Sequence, residues 1–587
     1  MELLTGLGLA VTAPSAHAQS WLGLAASNYA GTSNVYINPS SIADSRHKIY
    51  LNVVGADISF YNTYLELDLP RSPLSSEFRF SKTYFNEQLT GSPKFASVSA
   101  EVRLPSLMLS LSKGQGIAFT NRVRGFVQAS NVSEHIARLA RFGLAEAEPL
   151  GLTNQVLVDN RFNVSANSYH EFAFSYARTF SANPTHFFKG GLSLKYLVGL
   201  GAGYISNEGT QYRLYNADSV QVSTPHLSYG LTDYKLYGQP DFIMGSLYGK
   251  NRLGQGLGAD IGVTYEWRPD HASYQYAMDG WKWTDPSQNK YRLRLGLALT
   301  DLGSIRYTSD RYVRQAVLAN TRTVQVGQLD TLRFTTLKSV GPIMNKLVGL
   351  ESQSTRFTSY LPSTLRLTAD YRLRQHLFTS LLWTQNLLPA TTIGSHSISS
   401  VALVPRIEFS RFELAVPFHL TNNYQKFQLG TMVRVGPLAV GSDNLGGLFG
   451  INSASGADLY FVLGLALHKQ KHKDPDGDKV SSKLDMCPKV KGTWEFRGCP
   501  DRDNDHVPDE ADECPDVAGL AQYKGCPDSD GDGIPDKFDT CPTLAGPKEQ
   551  RGCPNPDAPD QDNDGIPDKE DDCPTTAGAV TNHGCPE

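Results

Sequence analysis

The chain has 587 residues, with 54 Lys and Arg against 59 Asp and Glu, for a formal net charge of −5. That near balance hides two parts with opposite charge. Residues 471–587 carry 13 basic and 28 acidic side chains, while the first 470 carry 41 and 31. No stretch after the N-terminus reaches the 18 or more apolar residues of a membrane helix, and no nucleic-acid partner is expected.

The N-terminus reads as an export leader over residues 1–18. Leu3 to Val11 is a short apolar run, and Ala16-His17-Ala18 before Gln19 has the form of a signal-peptidase site. The usual basic start is missing, and Glu2 stands in its place.

Residues 19–468 are expected to form one β domain. From about residue 45, segments alternate strictly between apolar and polar positions. Tyr291, Leu293, Leu295, Leu297 and Leu299 share one face, opposite Arg292, Arg294, Gly296, Ala298 and Thr300. Leu365 to Arg374 repeats the pattern, with Arg366, Asp370, Arg372 and Arg374 on the polar side. Phe412 to Leu420 sets Glu413, Ala415 and His419 against apolar residues. Phe172–Tyr176, Leu192–Leu200, Phe427–Val435 and Leu459–Leu467 behave alike.

Two architectures fit such strands. In a soluble sandwich the apolar faces meet as a core; in a transmembrane antiparallel β-barrel they face lipid. Three features favour the barrel. The strands are about ten residues long, enough to cross a bilayer at a tilt. Arginines recur on the polar faces. Aromatics stand near strand ends (Tyr291, Tyr371, Phe412 and Tyr460), as in an interfacial girdle. About 14 segments are legible, and an even number returns both ends to one side, so a tail leaving the last strand is expected in the periplasm. Ser133 to Glu148 reads as a helix, either a lumen plug or a surface helix in a long connection. Residues 205–250 and 303–360 contain long polar stretches expected as external loops, and Lys469 to Lys473 reads as a linker.

From Asp474 onward one acidic unit occurs four times, with starts 27, 27 and 32 residues apart: DPDGDKVSSKLDMCP, DRDNDHVPDEADECP, DSDGDGIPDKFDTCP and DQDNDGIPDKEDDCP. Positions 1, 3 and 5 are Asp474, Asp476 and Asp478; Asp501, Asp503 and Asp505; Asp528, Asp530 and Asp532; Asp560, Asp562 and Asp564. Position 9 is Asp509, Asp536 and Asp568, with Ser482 in the first unit. Position 12 is Asp485, Asp512, Asp539 and Asp571. Position 7 offers a backbone carbonyl. A calcium ion takes about six to eight oxygens at roughly 2.3–2.6 Å, and this is the ligand spacing of an EF-hand-like loop without its helices. Calcium is therefore the expected ligand. The first unit has Lys479 where a turn glycine is best and lacks the position-9 acid, so it is expected to be the weakest site.

All eight cysteines lie in these units as four pairs 12 positions apart: Cys487 and Cys499, Cys514 and Cys526, Cys541 and Cys553, Cys573 and Cys585. Their even number points to disulfides in an oxidising compartment. Bonding within each loop is the first expectation and bonding between neighbouring repeats the alternative. A loop of that size contributes roughly 3 kcal/mol in the chain-entropy treatment. Zinc is disfavoured by the spacing and the oxygen-rich surroundings.

These units resemble thrombospondin type 3 repeats. The shared pattern is D-x-D-x-D-G-x-P-D-x-x-D-x-C-P followed by G-C-P, best kept in the third and fourth copies. The resemblance implies calcium at the Asp positions and a stiff rod over 474–587. Such repeats often join a barrel to an OmpA-like peptidoglycan-binding domain, and the sequence ends at Glu587, where that domain would begin. In the body, Asn28-Tyr29-Ala30-Gly31, Asn38-Pro39, Ala43-Asp44-Ser45-Arg46 and Ser442-Asp443-Asn444-Leu445-Gly446 resemble uncharacterised Bacteroidota outer-membrane barrels. Those are similar in turn to the fatty-acid transporter and type IX secretion barrels.

No catalytic constellation appears, so enzymatic activity is not expected. The leading expectation is an outer-membrane barrel embedded in lipid that anchors a calcium-stiffened periplasmic rod, which meets peptidoglycan or a periplasmic protein. The alternatives are transport of a small hydrophobic or anionic solute, suggested by Arg292, Arg294, Arg366, Arg372 and Arg374, and service as an accessory barrel of a secretion machine.

Overall fold

The computed structural model describes residues 21–68, 84–111, 114–180, 183–216, 219–223, 227–232, 253–309, 313–318, 322–325, 352–421, 424–446, 455–554 and 559–586. The expected leader and much of the expected long loops lie outside the described residues. The chain divides into two units. The first comprises 1–273 and 287–469, and the second comprises 274–286 and 470–587.

Fourteen antiparallel staves build the first unit among the described residues. They are β1 (His47–Asn62), β2 (Lys94–Arg103 with Ser106–Ser110), β3 (Gln115–Val132), β4 (Val156–Thr179), β5 (His186–Asn216), β6 (Leu227–Thr232 with Gly254–Trp267) and β7 (Leu293–Thr308 with Val313–Leu318). Next come β8 (Ser352–Ser354, Arg356–Tyr360 and Thr364–Arg372), β9 (Leu377–Asn386), β10 (Ser400–Glu408) and β11 (Phe412–Ala415 with Phe418–Thr421). The last are β12 (Lys426–Leu429 with Thr431–Val435), β13 (Leu438–Ser442) and β14 (Gly456–His468). Each stave pairs with the next, and β1 pairs with β14 from His47↔His468 to Tyr61↔Gly456, which closes the sheet into a barrel. Prolines mark three of the breaks: Pro105 in β2, Pro362 in β8 and Pro417 in β11. A proline has no N–H for the ladder.

The alternation decides where the apolar side chains go. On β7, Leu295, Leu297 and Leu299 are 41, 44 and 37% exposed, whereas Ala298 and Thr300 are 2% and 1% exposed. Val263 and Leu367, the outward residues of the flanking staves, are 50% and 41% exposed. The apolar stripes point out of the barrel instead of meeting one another, as a lipid-facing wall requires. The sandwich arrangement is thereby excluded. Two of the four proposed girdle aromatics are buried instead. Tyr460 lies between the outward Leu459 and Phe461 and is buried against Trp21, with centroids 5.4 Å apart. Tyr291 is buried and its hydroxyl donates to Asp370 at 2.6 Å.

The lumen is filled. Residues Trp21–Ser45 run through it as a strap of short helices, α1 (Leu22–Ala26) and the 3-10 turns Gly31–Tyr36 and Pro39–Ile42. Trp21, Leu22, Leu24, Ala26 and Ala30 pack on the inward residues of β9–β14, among them Val404, Ala415 and Met432. Val35, Ile42 and Ala43 pack on Tyr50, Met108, Ala118 and Ala177 of β1–β4. The Asn38 amide donates to the carbonyl of Val263 at 3.0 Å. A second segment, the connection from β9 to β10, also turns inward: Gln128 and His396 exchange two hydrogen bonds of 2.9 and 2.7 Å. The helix α2 (Glu134–Phe142) instead packs over the extended ends of β4 and β5 with Leu157, Tyr212 and Leu214, so it is a helix of a long connection and not a plug.

The strap fits because small residues leave it room. A Cβ added at Gly191 of β5 would lie 2.5 Å from the Pro39 carbonyl carbon and the Ser40 nitrogen. Gly191→Val should therefore displace the strap while the β5 ladder still forms. Conductance in planar bilayers should rise above that of the unsubstituted protein, with heat-shifted gel mobility unchanged.

Candidate metal centres

Arg122 reaches Glu171 at 2.9 Å, Glu101 at 3.1 Å and Asp301 at 3.3 Å; Arg124 reaches Asp301 at 3.0 Å; Lys195 reaches Asp260 at 2.7 Å. Around the strap, Arg406 pairs with Asp370 at 2.8 Å and Glu408 at 2.7 Å, and Arg434 pairs with Glu413 at 3.0 Å. Glu413 also accepts from the Ser27 hydroxyl at 2.8 Å, and Asp443 accepts from the Leu22 N–H at 3.0 Å. His419 contacts the Asp443 carbonyl at 2.7 Å. These groups hold the filling in place. Of the arginines read as lumen-facing, Arg294 pairs with Asp370 at 2.9 Å and Arg366 contacts Thr300 at 3.2 Å. Arg292, Arg372 and Arg374 stand at the stave ends. Arg292 and Arg372 approach Asp270 at 3.8 and 3.6 Å. On the far side of the barrel from the stave ends His47 and His468, a cavity of about 550 Å³ is lined by Tyr61, Phe95, Lys94, His396 and Lys426, among others.

The second unit contains the four acidic repeats. Each is an irregular loop folded by its own carboxylates, since short polar side chains readily bond nearby backbone N–H groups. Position 1 accepts from the position-6 N–H: Asp474 from Lys479 at 3.0 Å, Asp501 from His506 at 3.1 Å, Asp528 from Gly533 and Asp560 from Gly565, both at 3.0 Å. Position 5 accepts from position 7 with one oxygen. With the other it accepts from a glycine 14 residues on: Gly492 at 3.2 Å, Gly519 and Gly546 at 3.0 Å, and Gly578 at 2.9 Å. Position 12 accepts from the cysteine N–H two residues later, at 2.6–2.8 Å.

This folding brings carboxylates together. In every repeat one oxygen from each of positions 1, 3 and 5 lies within 4.8 Å of the others. The fit to a hard cation is tested by what these oxygens lack. The second oxygens of Asp476, Asp503, Asp530 and Asp562 at position 3, and of Asp485, Asp512, Asp539 and Asp571 at position 12, are buried and have no hydrogen-bond partner among the described residues. A buried acceptor without a donor costs about 1–3 kcal/mol, and more when charged. Two such oxygens per repeat, beside further carboxylates, fit a divalent cation with oxygen ligands. Burial raises the carboxyls of Asp503, Asp530 and Asp562 above the usual aspartate range, and the neighbouring carboxylates push the same way. Burial also acts to raise Asp474, but the N–H groups of Lys479 and Gly477 hold it below the usual range.

The position-9 carboxylates are not part of these clusters. Asp509, Asp536 and Asp568 accept from the position-2 N–H at 2.9, 2.7 and 2.6 Å. Each repeat is closed by a disulfide: Cys487–Cys499, Cys514–Cys526, Cys541–Cys553 and Cys573–Cys585, with Cα atoms 5.0, 5.0, 5.1 and 5.0 Å apart. The glycine before each second cysteine has φ near +80°, and a Cβ there would lie 2.0–2.1 Å from a position-12 carboxylate oxygen. Sequence reasoning missed Gly492, Gly519, Gly546 and Gly578 as donors to position 5. Their fixed place five residues after each first cysteine was the available signal.

Position 12 and position 9 should respond differently to substitution. In calcium titrations of the full chain, Asp539→Ala should remove one binding site, whereas Asp536→Ala should keep the number of sites and weaken one. Gly552→Ala should behave like Asp539→Ala, because φ +85° and the Asp539 oxygen both oppose a side chain there.

A profile described as a family of unknown function (DUF5723) matches residues 39–443, and the thrombospondin type 3 repeat profile matches residues 527–549 and 553–580. No curated protein matches the chain. Among solved structures, the toluene transporter TodX of Pseudomonas putida is 8% identical over 75% of this chain and 93% of its own, with a TM-score of 0.31. A TodX deltaS2S3 mutant, a monoaromatic hydrocarbon channel, is 9% identical over 75% and 95%, with a TM-score of 0.35. The monoaromatic hydrocarbon channel CymD is 9% identical over 77% and 97%, with a TM-score of 0.27.

Proposed function

The chain belongs to the family of unknown function (DUF5723), and from that premise we propose that it is an outer-membrane barrel anchoring a calcium-ordered repeat unit in the periplasm. The repeats then present a stiffened surface to peptidoglycan or to a periplasmic protein. The observation that carries this reading is the pair of buried, donor-less carboxylate oxygens in every repeat. Four such sites would add opposed positive charge to a tail of about −15 and remove its self-repulsion. The filled lumen supports an anchoring role over a permanently open pore, because strap, inward connection and ion pairs occupy it together. Asp474, Asp476, Asp478 and Asp485 in the first repeat would hold the ion, as would their counterparts in the other three. The calcium supplies charge neutralisation and loop order, not chemistry.

A second reading, passage of a small solute, is favoured by the cavity of about 550 Å³ at the end away from His47 and His468. Two measurements separate the readings. Limited proteolysis of the detergent-solubilised protein should cut the tail rapidly in chelator and slowly in millimolar calcium. Purified protein in planar bilayers should conduct little. A calcium-insensitive digestion pattern together with steady channels would reverse the order of the two.

A further inference from the structure

Three departures of the first repeat from the others lie close together. Position 8 is Ser481 where the others have Pro508, Pro535 and Pro567; position 9 is Ser482 in place of aspartate; and Trp494 stands in its disulfide loop where the others have Ala521, Lys548 and Val580. Ser481 and Trp494 meet the same object, a β-hairpin from elsewhere in the chain that belongs to the same unit. Its strands Gln275–Met278 and Trp281–Thr284 pair across the two-residue turn Asp279-Gly280. Both turn residues have positive φ, 55° and 73°, as a tight hairpin with the native strand twist requires.

Asp279 grips the repeat at two points. Its N–H donates to the Lys479 carbonyl at 2.9 Å, and its carboxylate accepts from the Ser481 N–H at 2.7 Å. Between those points lies Val480, fully buried. Gly280 lies against the Trp494 indole, 3.0 Å from Nε1 to the place of a Cβ. Tyr276 and Trp283 flank His472, whose ring nitrogen is 2.8 Å from the Tyr276 hydroxyl.

The grip matters because of peptide planarity. The Ser481 N–H and the Val480 C=O belong to one trans peptide and point in opposite directions. Holding the N–H on the hairpin turns the C=O away from it. Val480 is position 7, the backbone-carbonyl position of the loop spacing. In the other repeats proline has no N–H to satisfy there. In the first, the Ser481 N–H is buried and Asp279 satisfies it. Lys479, at φ 72°, occupies a conformation that side chains resist, and its carbonyl is the other end of the grip. Asp485, 8% exposed, keeps one carboxylate oxygen without a donor, and the place of a Cβ on Gly498 is 2.1 Å from its other oxygen and 3.3 Å from an oxygen of Asp478.

We propose that Asp279 is a positioning residue for the divalent-cation site of the first repeat, so that hairpin docking and calcium binding there are one linked equilibrium. The proposal rests on the reading that the repeats bind calcium. The hairpin supplies the loop order that Lys479, Ser481 and Ser482 have given up. Linkage makes the effect reciprocal: what the hairpin does for calcium, calcium does for the hairpin.

The test uses the full chain in detergent, titrated with calcium alone, with hydrogen exchange as the second readout. Asp279→Ala should weaken one site by about tenfold, the equivalent of one lost hydrogen bond, and leave the others unchanged. Asp279→Asn, which keeps an oxygen acceptor, should restore that site to within about twofold. Exchange at residues 274–286 should slow on adding calcium in the unsubstituted protein. That slowing should vanish in Asp476→Ala and persist in Asp530→Ala. Unchanged affinities in Asp279→Ala, or hairpin exchange indifferent to calcium while three or more sites bind it, would overturn the linkage alone. Binding at no site would overturn the calcium reading and the linkage with it.

Discussion

The ladder between β1 and β14 is the contact on which the first unit depends. Every stave but these two finds both neighbours nearby in the sequence, whereas this pair joins residues as distant as His47 and His468. Without it the sheet would have two open edges, and the N–H and C=O groups along them could not be satisfied in hydrocarbon. With it, the outward leucines can face lipid and the inward polar residues are enclosed. Closure also creates the problem that the rest of the unit solves, because fourteen staves enclose more space than their own small inward residues fill.

The strap and the inward connection fill that space, and the lumen charges follow from how they do so. The strap brings N–H groups and a serine hydroxyl that need acceptors, and Asp443, Glu408 and Glu413 provide them. Glu408 and Glu413 need counter-charges, and Arg406 and Arg434 provide them. Buried ion pairs add little net stability but are costly to break singly, by about 3–5 kcal/mol. Such a network therefore fixes one arrangement of the strap more than it strengthens the barrel. Arg103 over the Trp21 ring at 3.3 Å and Arg122 over the Tyr36 ring at 4.1 Å serve the same end.

The second unit is built on the opposite principle. It buries few apolar side chains, chiefly Val480, Val507, Ile534 and half-cystines. A segment with so small a core needs staples, and the disulfides provide covalent ones. The remaining order comes from carboxylates folding the backbone around themselves, which leaves some of their oxygens facing one another without donors. Under the proposed reading a divalent cation would satisfy those oxygens, and the acidity of the tail and its fold would share one cause.

Much of this was legible in the residues themselves. Period two in β7 and β8 specified strands and which side chains share a face, and the phase of Asp and Cys specified four equivalent loops. Both are local properties, fixed by the pleat and by short-range carboxylate bonds. Which face meets solvent is not local, and only closure of the sheet settled that Leu295 and Leu367 point outward. Tyr460 was misread because its position near a strand end was weighed above its parity. The inward places of Trp21, Asn38 and His396 left no periodic trace, since a filling segment takes its shape from the cavity walls. The position-9 aspartates stand at ligand spacing, and the structure adds that each accepts from the position-2 N–H, a bond that spacing along the chain does not reveal. Asp279, about 200 residues from Ser481, had no signal in the sequence beyond an Asp-Gly turn. The sequence alone determined the strands, the loops and their acids; the tertiary structure decided what those acids and apolar faces point at, because direction depends on partners that the chain brings together only on folding.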